Sequence, residues 1–135
     1  MRLVIIESPF ADPTPEGIEE NIAYARRCLK DSLLRGEAPL ASHLLYTQAG
    51  VLDDTIPEER VLGIEAGLAW GKLAHATVVY VDRGISNGMQ FGIRRAKSEG
   101  RLVILRSISG MGLEELREFY EKLGIKRFFI SPLDC

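Results

Sequence analysis

Three short apolar runs separated by helical patterns constrain what this chain can fold into. The runs are RLVIIES from Arg2, TVVYVD from Thr77 and RLVILRS from Arg101. A strand buried on both faces reads as a continuous apolar run, because neither face meets water. Strands that alternate with helices favour right-handed parallel crossovers. We therefore predict an α/β fold with three layers, in which helices cover both faces of a mostly parallel sheet of about five strands.

Helical patterns fill the intervals between these runs. The first begins at Pro15, with Thr14 as a candidate N-cap and Gly36 just past its end. Others begin at Pro57, after the loop at 82–88, and at GLEELREFYEKLG. The segment APLASHLLYTQ fits either a brief strand or a loop with a helical turn, and KRFFIS is predicted to be a last strand. With no repeat or linker, residues 1–135 are predicted to form a single domain.

The composition excludes several classes of protein. Of 135 residues, 46% are hydrophobic and 27% are charged, which is typical of soluble globular proteins. The net charge of −2 provides no basic field, so long nucleic acid is not an expected partner. Cys28 and Cys135 form neither a disulfide framework nor a metal-ligand pattern, and we expect no metal and no cofactor. No apolar run suits a membrane span or signal peptide, which predicts a cytoplasmic protein.

Two loops are expected at the carboxyl ends of the strands, where open parallel sheets bind ligands. They are ESPFAD after the first strand and DRGISNGM after the central one. In the second loop, the residues 86–89 open a helix whose free N–H groups and dipole favour an anion such as phosphate. The plain alternative is that Ser86 or Asn87 only caps the helix. The segment is neither a P-loop nor a dinucleotide fingerprint.

The stretch HLLYTQAGVLDDTIPEER concentrates polar side chains that suit a site. One interpretation makes Asp54 or Glu59 an acid or base, His43 a hydrogen-bond donor to substrate and Arg60 a phosphate clamp. In the other, the acidic residues cap a turn or favour a helix N-terminus, and His43 is a partly buried structural residue. The following helix has glycines at 63, 67 and 71, a stripe predicted to serve as a contact between copies of the chain.

The order of several segments resembles the nucleoside 2-deoxyribosyltransferase-like superfamily, in a branch of small proteins (DUF4406/DUF7768-like). The segments are SPF, ENIAYARR, PLASHLLYTQ, LDDTIPEERVLGIEAGLAW and GISNGMQFGI, within about residues 3–106. The resemblance implies a Rossmann-like (flavodoxin-like) sandwich that binds nucleosides, nucleotides or sugar phosphates. It also implies a homodimer or a higher homo-oligomer.

The resemblance further implies which residues hold the ligand. The phosphate or a sugar hydroxyl would meet Ser86, Asn87, Gly88 and Met89, and the base or sugar would lie near Ser8, Pro9, Phe10 and His43. Enzymes of the superfamily attack the anomeric carbon with a glutamate four residues after the loop glycine. Here that count from Gly88 reaches Gly92, and Arg60 stands where an aspartate is usual.

Three functions therefore stay open. The first is binding of a nucleotide, nucleoside or sugar phosphate without the superfamily's nucleophile. The second is an N-glycosidase or deoxyribosyltransferase-like enzyme that uses water with Asp54 or Glu59. The third is an oligomeric assembly module without catalysis.

Overall fold

Strands and helices alternate along residues 1–125, the part of the chain that this computed structural model describes. In chain order they are β1 (Arg2–Glu7), α1 (Pro15–Leu34), β2 (Glu37–Leu40), α2 (Ser42–Leu45), α3 (Pro57–Gly71), β3 (Ala76–Tyr80), α4 (Asn87–Ser98), β4 (Leu102–Arg106) and α5 (Leu113–Lys122). No helix in this range is long and apolar enough to cross a membrane.

The sheet confirms the predicted α/β class. Its four described strands are all parallel and lie in the order β2-β1-β3-β4. About five strands were predicted, and the predicted last strand KRFFIS, at 126–131, lies outside the described residues. The ambiguous segment APLASHLLYTQ contains both alternatives, since β2 ends within it and α2 follows directly.

Helices cover both faces of the sheet, as the three-layer prediction requires. Val78 of β3 belongs to a buried cluster with Cys28 of α1 on one face. Its neighbour Val79 belongs to a second cluster on the opposite face, with Ile93 of α4 and Leu116 of α5. Each such buried aliphatic side chain contributes about 1.5–3 kcal/mol to folding. The continuous apolar pattern of β3 therefore reflects burial from both sides.

The predicted signals at the ends of α1 are confirmed. The Thr14 hydroxyl accepts a hydrogen bond from the Gly17 N–H at 3.0 Å, and Pro15 occupies the first turn. Gly36, just past the helix, has a φ of 85°, a conformation that costs glycine little. These local contacts fix where α1 begins and where the chain turns from α1 into β2.

The glycine stripe of α3 faces the interior of the protein, so the predicted role as a contact between copies is wrong. A Cβ added at Gly67 would lie 2.5 Å from Ser42 Oγ and 2.8 Å from its Cβ. A Cβ added at Gly71 would lie 3.1 Å from an Arg101 guanidinium nitrogen. The stripe does allow close approach of other segments, but they belong to the same chain: Ser42 of α2 and Arg101, which precedes β4.

A buried ion pair ties β4 to the start of β2 beneath α1. Both guanidinium Nη atoms of Arg106 lie 2.6 Å from the Glu37 carboxylate, which also accepts a hydrogen bond from Ser32 at 2.7 Å. Burial alone would raise the pKa of Glu37, but these hydrogen bonds hold it below its usual range. The pair adds to other polar contacts beneath α1, among them the hydrogen bond from the Tyr80 hydroxyl to Asp31 at 2.7 Å.

Candidate functional site

The strand order reverses between β1 and β3, and this reversal creates a crevice. After β1 the chain moves outward to β2, and it then returns to place β3 on the other side of β1. In open α/β sheets such a switch point is where ligands bind, outside the carboxyl ends of the strands. A cavity of about 420 Å³ lies there, bounded by the loops after β1 and β3 and by α2, α3 and α4.

The cavity brings together nearly all the residues that the sequence singled out. Ser8, Phe10, His43, Asp54, Glu59, Arg60, Ser86, Asn87, Gly88 and Met89 all line it. Pro9 does not line it and is buried in the loop. A more open groove of about 680 Å³ adjoins the cavity and shares Phe10 and Arg60 with it. The space is thus longer than one small anion requires.

Ser86 caps α4 with its own side chain, as the plain alternative predicted. Its Oγ accepts a hydrogen bond from the Met89 N–H at 3.2 Å, and its own N–H points at the Met89 sulfur at 3.4 Å. The first two N–H groups of the helix, at Asn87 and Gly88, have no acceptor among residues 1–125. Because the helix dipole places positive charge at this end, these two amides can hold an anion.

Arg60 points at the same end of α4. Its Nη1 donates a hydrogen bond to Asp54 Oδ2 at 2.6 Å, and its Nη2 would lie 4.0 Å from a Cβ placed on Gly88. The ion pair fixes the direction of the guanidinium, whose side chain is 39% exposed. A positive side chain and two unpaired amides therefore converge on one end of the cavity.

His43 and Ser8 form another polar part of the cavity wall. Ser8 Oγ lies 2.7 Å from His43 Nε2. Burial lowers the pKa of His43 to about 4, so the ring is neutral at pH 7. The Phe10 carbonyl accepts a hydrogen bond from Asn21 of α1 at 2.9 Å, which anchors the loop that carries the Phe10 ring. This wall offers neutral hydrogen-bonding groups and an aromatic face.

The two candidate acids or bases are both engaged locally. Asp54 accepts the hydrogen bond from Arg60, and Glu59 accepts one from the Asp53 N–H at 3.2 Å. Both carboxylates still line the cavity. Their structural roles match the alternative interpretation of the acidic stretch, while an acid or base role for either stays a prediction.

Asp82, which follows β3, does not oppose an anion at α4. Its carboxylate accepts hydrogen bonds from the hydroxyls of Tyr24 and Ser109, at 2.6 Å each, and from Ser107. Burial alone would raise the pKa of Asp82, but the hydrogen bonds from Ser107, Ser109 and Tyr24 hold it well below its usual range. The group orders the turn after β4, away from the cavity.

Glu7 is a cavity residue that the sequence reasoning missed. It ends β1, lines the cavity and is partly buried. Its carboxyl group lies against Gly92 of α4: a Cβ added at Gly92 would be 2.8 Å from Oε1 and would overlap Oε2. Burial raises the pKa of Glu7 from 4.5 to about 8, and the positive charge of Arg101 opposes this only in part. The available signal was a carboxylate at the end of an apolar strand.

No metal site accompanies these residues. In residues 1–125, no group of three or more histidine, cysteine or carboxylate side chains is arranged to hold a metal ion. The polar groups of the cavity include the Arg60–Asp54 ion pair, the amides of Asn87 and Gly88, and the Glu7 carboxyl group.

The fold and crevice define a Rossmann-like α/β domain with a cavity at the switch point of its sheet. By sequence, the chain belongs to the family DUF7768, a domain of unknown function, which matches residues 2–106. Its structure is similar to that of the 2-deoxyribosyltransferase from the psychrotolerant bacterium Bacillus psychrosaccharolyticus, with a TM-score of 0.57 and 17% sequence identity. The similarity covers 94% of this chain and 99% of the other. Among curated proteins, no sequence matches.

Proposed function

We propose that the crevice binds a nucleoside phosphate, with its phosphate at the N-terminus of α4. The observation that carries this proposal is the convergence of Arg60 with the unpaired amides of Asn87 and Gly88 on one end of the cavity. Charge-assisted hydrogen bonds of this kind contribute about 1.5–3 kcal/mol each. Two or three of them suit one phosphate group.

The rest of the cavity suits a sugar and a base. Its volume of about 420 Å³ falls within the range of small-molecule sites, roughly 300–1,000 Å³. The Phe10 ring offers a face for stacking, and Ser8 and the neutral His43 offer hydrogen bonds without a competing charge. The similarity to a 2-deoxyribosyltransferase, described as a biocatalyst for the synthesis of nucleosides, supports a ligand of the nucleoside class.

Assembly of copies is compatible with this function. On α3, the side chains of Val61 and Leu62 are 53% and 55% exposed, and Trp70 is 48% exposed although its ring N–H bonds the Tyr46 hydroxyl at 2.9 Å. Exposed apolar side chains grouped on one helix are typical of contact surfaces. A homodimer or higher homo-oligomer through this outer side of α3 is part of the proposal.

Calorimetric titration tests the ligand. Nucleoside 5′-monophosphates, the matching nucleosides and inorganic phosphate are titrated into the wild type, Arg60→Gln and Ser86→Glu. We expect the wild type to bind a monophosphate at least tenfold more tightly than its nucleoside. Both variants should lose that preference, because one removes a positive charge and the other adds a negative charge at the phosphate end.

Arg83→Gln is the matched control. Arg83 is in the same loop but donates to Asn21 at 3.0 Å and to Glu20 at 3.4 Å, and it does not line the cavity. The Arg83→Gln variant should bind nucleoside monophosphates as tightly as the wild type does. Equal binding by the wild type and Ser86→Glu, or no binding of any monophosphate by the wild type, would contradict the proposal.

A further inference from the structure

The Glu7 carboxyl group lies at the cavity in a position that adds no evident stabilising contact to the fold. No group in residues 1–125 donates a hydrogen bond to it, although the residue is partly buried at the end of β1. It opens instead onto the cavity that is lined by Ser8, His43 and the first turn of α4. Burying such a group without a partner costs stability. Local costs of this kind concentrate at functional sites.

Gly92 provides the space that the carboxyl group occupies. Glycine in the middle of a helix costs about 1 kcal/mol relative to alanine, and Gly92 lies well inside α4. Any side chain at that position would overlap the Glu7 carboxyl group. Gly92, which weakens its helix, and the carboxyl group of Glu7, which has no hydrogen-bond partner in residues 1–125, are therefore in contact in the cavity wall.

The position of this point along α4 matters for chemistry. Gly92 follows Gly88 by four residues, which places it about 6 Å farther along the helix. In a nucleoside 5′-phosphate, the anomeric carbon is separated from the phosphorus by five bonds of about 1.5 Å each, folded into a similar span. If the phosphate lies at the amides of Asn87 and Gly88, the anomeric carbon can therefore reach the Glu7 carboxyl group, which lies against Gly92.

The surroundings keep this carboxyl group protonated at neutral pH. The titratable or charged groups that face the same cavity are Arg101, His43, Tyr46, Asp54, Glu59 and Arg60. Arg101 donates hydrogen bonds to Thr77 Oγ1 at 3.0 Å and to the Gly71 carbonyl at 2.6 Å. Arg60 is paired with Asp54. Burial therefore prevails over the nearby positive charge, and the pKa of Glu7 is about 8. A group that holds its proton at pH 7 is equipped to donate it.

We propose that Glu7 is the catalytic acid of this crevice and promotes hydrolysis of the N-glycosidic bond of a bound nucleoside 5′-monophosphate. The proposal rests on the nucleotide binding proposed above. In the step, the bond between the anomeric carbon and the base nitrogen breaks, and its electron pair leaves with the base. Glu7 transfers its proton to the base, and the oxygen of a water molecule bonds to the anomeric carbon. The proton that this water loses restores the Glu7 carboxyl group, and the products are free base and sugar 5-phosphate.

Chromatography of released base tests the proposal. The wild type and Glu7→Gln are incubated with ribo- and deoxyribonucleoside 5′-monophosphates of all the common bases, between pH 5 and pH 9.5. Release by the wild type should fall as the pH rises through about 8, because the acid form disappears. Glu7→Gln should release base at least a hundredfold more slowly, in line with the contribution of a general acid. Its affinity for the same nucleotide, measured by calorimetry, should change by no more than about threefold, since it keeps the shape of the side chain.

A pair of double variants tests the position of the carboxyl group. Glu7→Ala/Gly92→Glu places a carboxyl group in the same space from α4 instead of β1, and it should recover part of the lost release. Glu7→Ala/Gly92→Gln fills the same volume without an acid and should not. A recovery in both, or in neither, would overturn the assignment.

Other results contradict the proposal separately from nucleotide binding. Wild-type release that rises with pH through 8 would mean that the ionised group acts, as a base or nucleophile. Unchanged release by Glu7→Gln, or binding without any release by the wild type, would remove Glu7 from the chemistry while leaving the binding function intact. If no monophosphate binds, both proposals fail.

Discussion

Replacing Glu7 by glutamine should make the protein more stable at neutral and alkaline pH. The folded-state pKa of Glu7, about 8, lies above the ordinary value of 4.5. Between these two values the folded protein holds a proton that the unfolded chain releases. Relative to Glu7→Gln, the stability of the wild type therefore falls as the pH rises through this window, because glutamine has no proton to lose.

The size of the effect follows from the width of the window. One pKa unit corresponds to about 1.4 kcal/mol, so each pH unit between 4.5 and 8 removes about that much stability from the wild type alone. Between pH 5 and pH 7.5, the free energy of unfolding of the wild type should fall by about 3 kcal/mol relative to Glu7→Gln. Below pH 4.5 and above pH 8 the difference should stay constant.

Urea unfolding at pH 5, 6, 7.5 and 9 measures this difference directly, with no ligand present. Glu58→Gln removes an exposed carboxyl group from the first turn of α3 and controls for the loss of a negative charge. Its curve should run parallel to that of the wild type. If Glu7→Gln also runs parallel, the Glu7 carboxyl group is not held protonated by burial, and the reasoning fails.

Three further variants probe the frame around the site. Arg106→Met should lower the free energy of unfolding in urea by about 3 kcal/mol or more, because it strands the Glu37 carboxylate; an unchanged midpoint would show that the pair is not buried. Relative to His43→Gln, the wild type should lose stability in thermal melts as the pH falls from 6.5 to 4, since burial lowers the pKa of His43 to about 4; parallel changes in both proteins would refute this. Gly67→Ala should destabilise by about 1–3 kcal/mol, since the new methyl would meet Ser42, and adding Ser42→Gly should restore the melting temperature.

Signals within short stretches of sequence were enough to predict several strands and helices of the fold. The strands β1, β3 and β4 could be placed because burial on both faces leaves a continuous apolar signature, and α1 because Thr14, Pro15 and Gly36 act through contacts within a few residues. Nothing beyond the neighbouring residues is needed to interpret these signals. The same holds for Ser86, whose capping bond reaches only to Met89.

Features that depend on contacts between distant segments could not be predicted from the sequence. The stripe at Gly67 and Gly71 indicated close packing, but the sequence did not show whether the neighbour was another copy or, as in the structure, Ser42 and Arg101 of the same chain. The segment APLASHLLYTQ was ambiguous for a similar reason. Its strand forms only because β1 offers a free edge with which Glu37–Leu40 can pair.

In the site, too, contacts between residues far apart in the sequence could not be predicted. Counting four residues from Gly88 reaches Gly92, and that count alone suggests that the cavity wall has no carboxyl group there. The structure fills the space from β1 with Glu7, a residue far away in the chain. A side chain at position 92 would have to displace the Glu7 carboxyl group from this space. Gly92→Glu should therefore destabilise the wild type by about 1–3 kcal/mol in urea and be tolerated in Glu7→Ala, giving a coupling energy of at least about 1 kcal/mol. Additive effects would mean that residues 7 and 92 do not share that space.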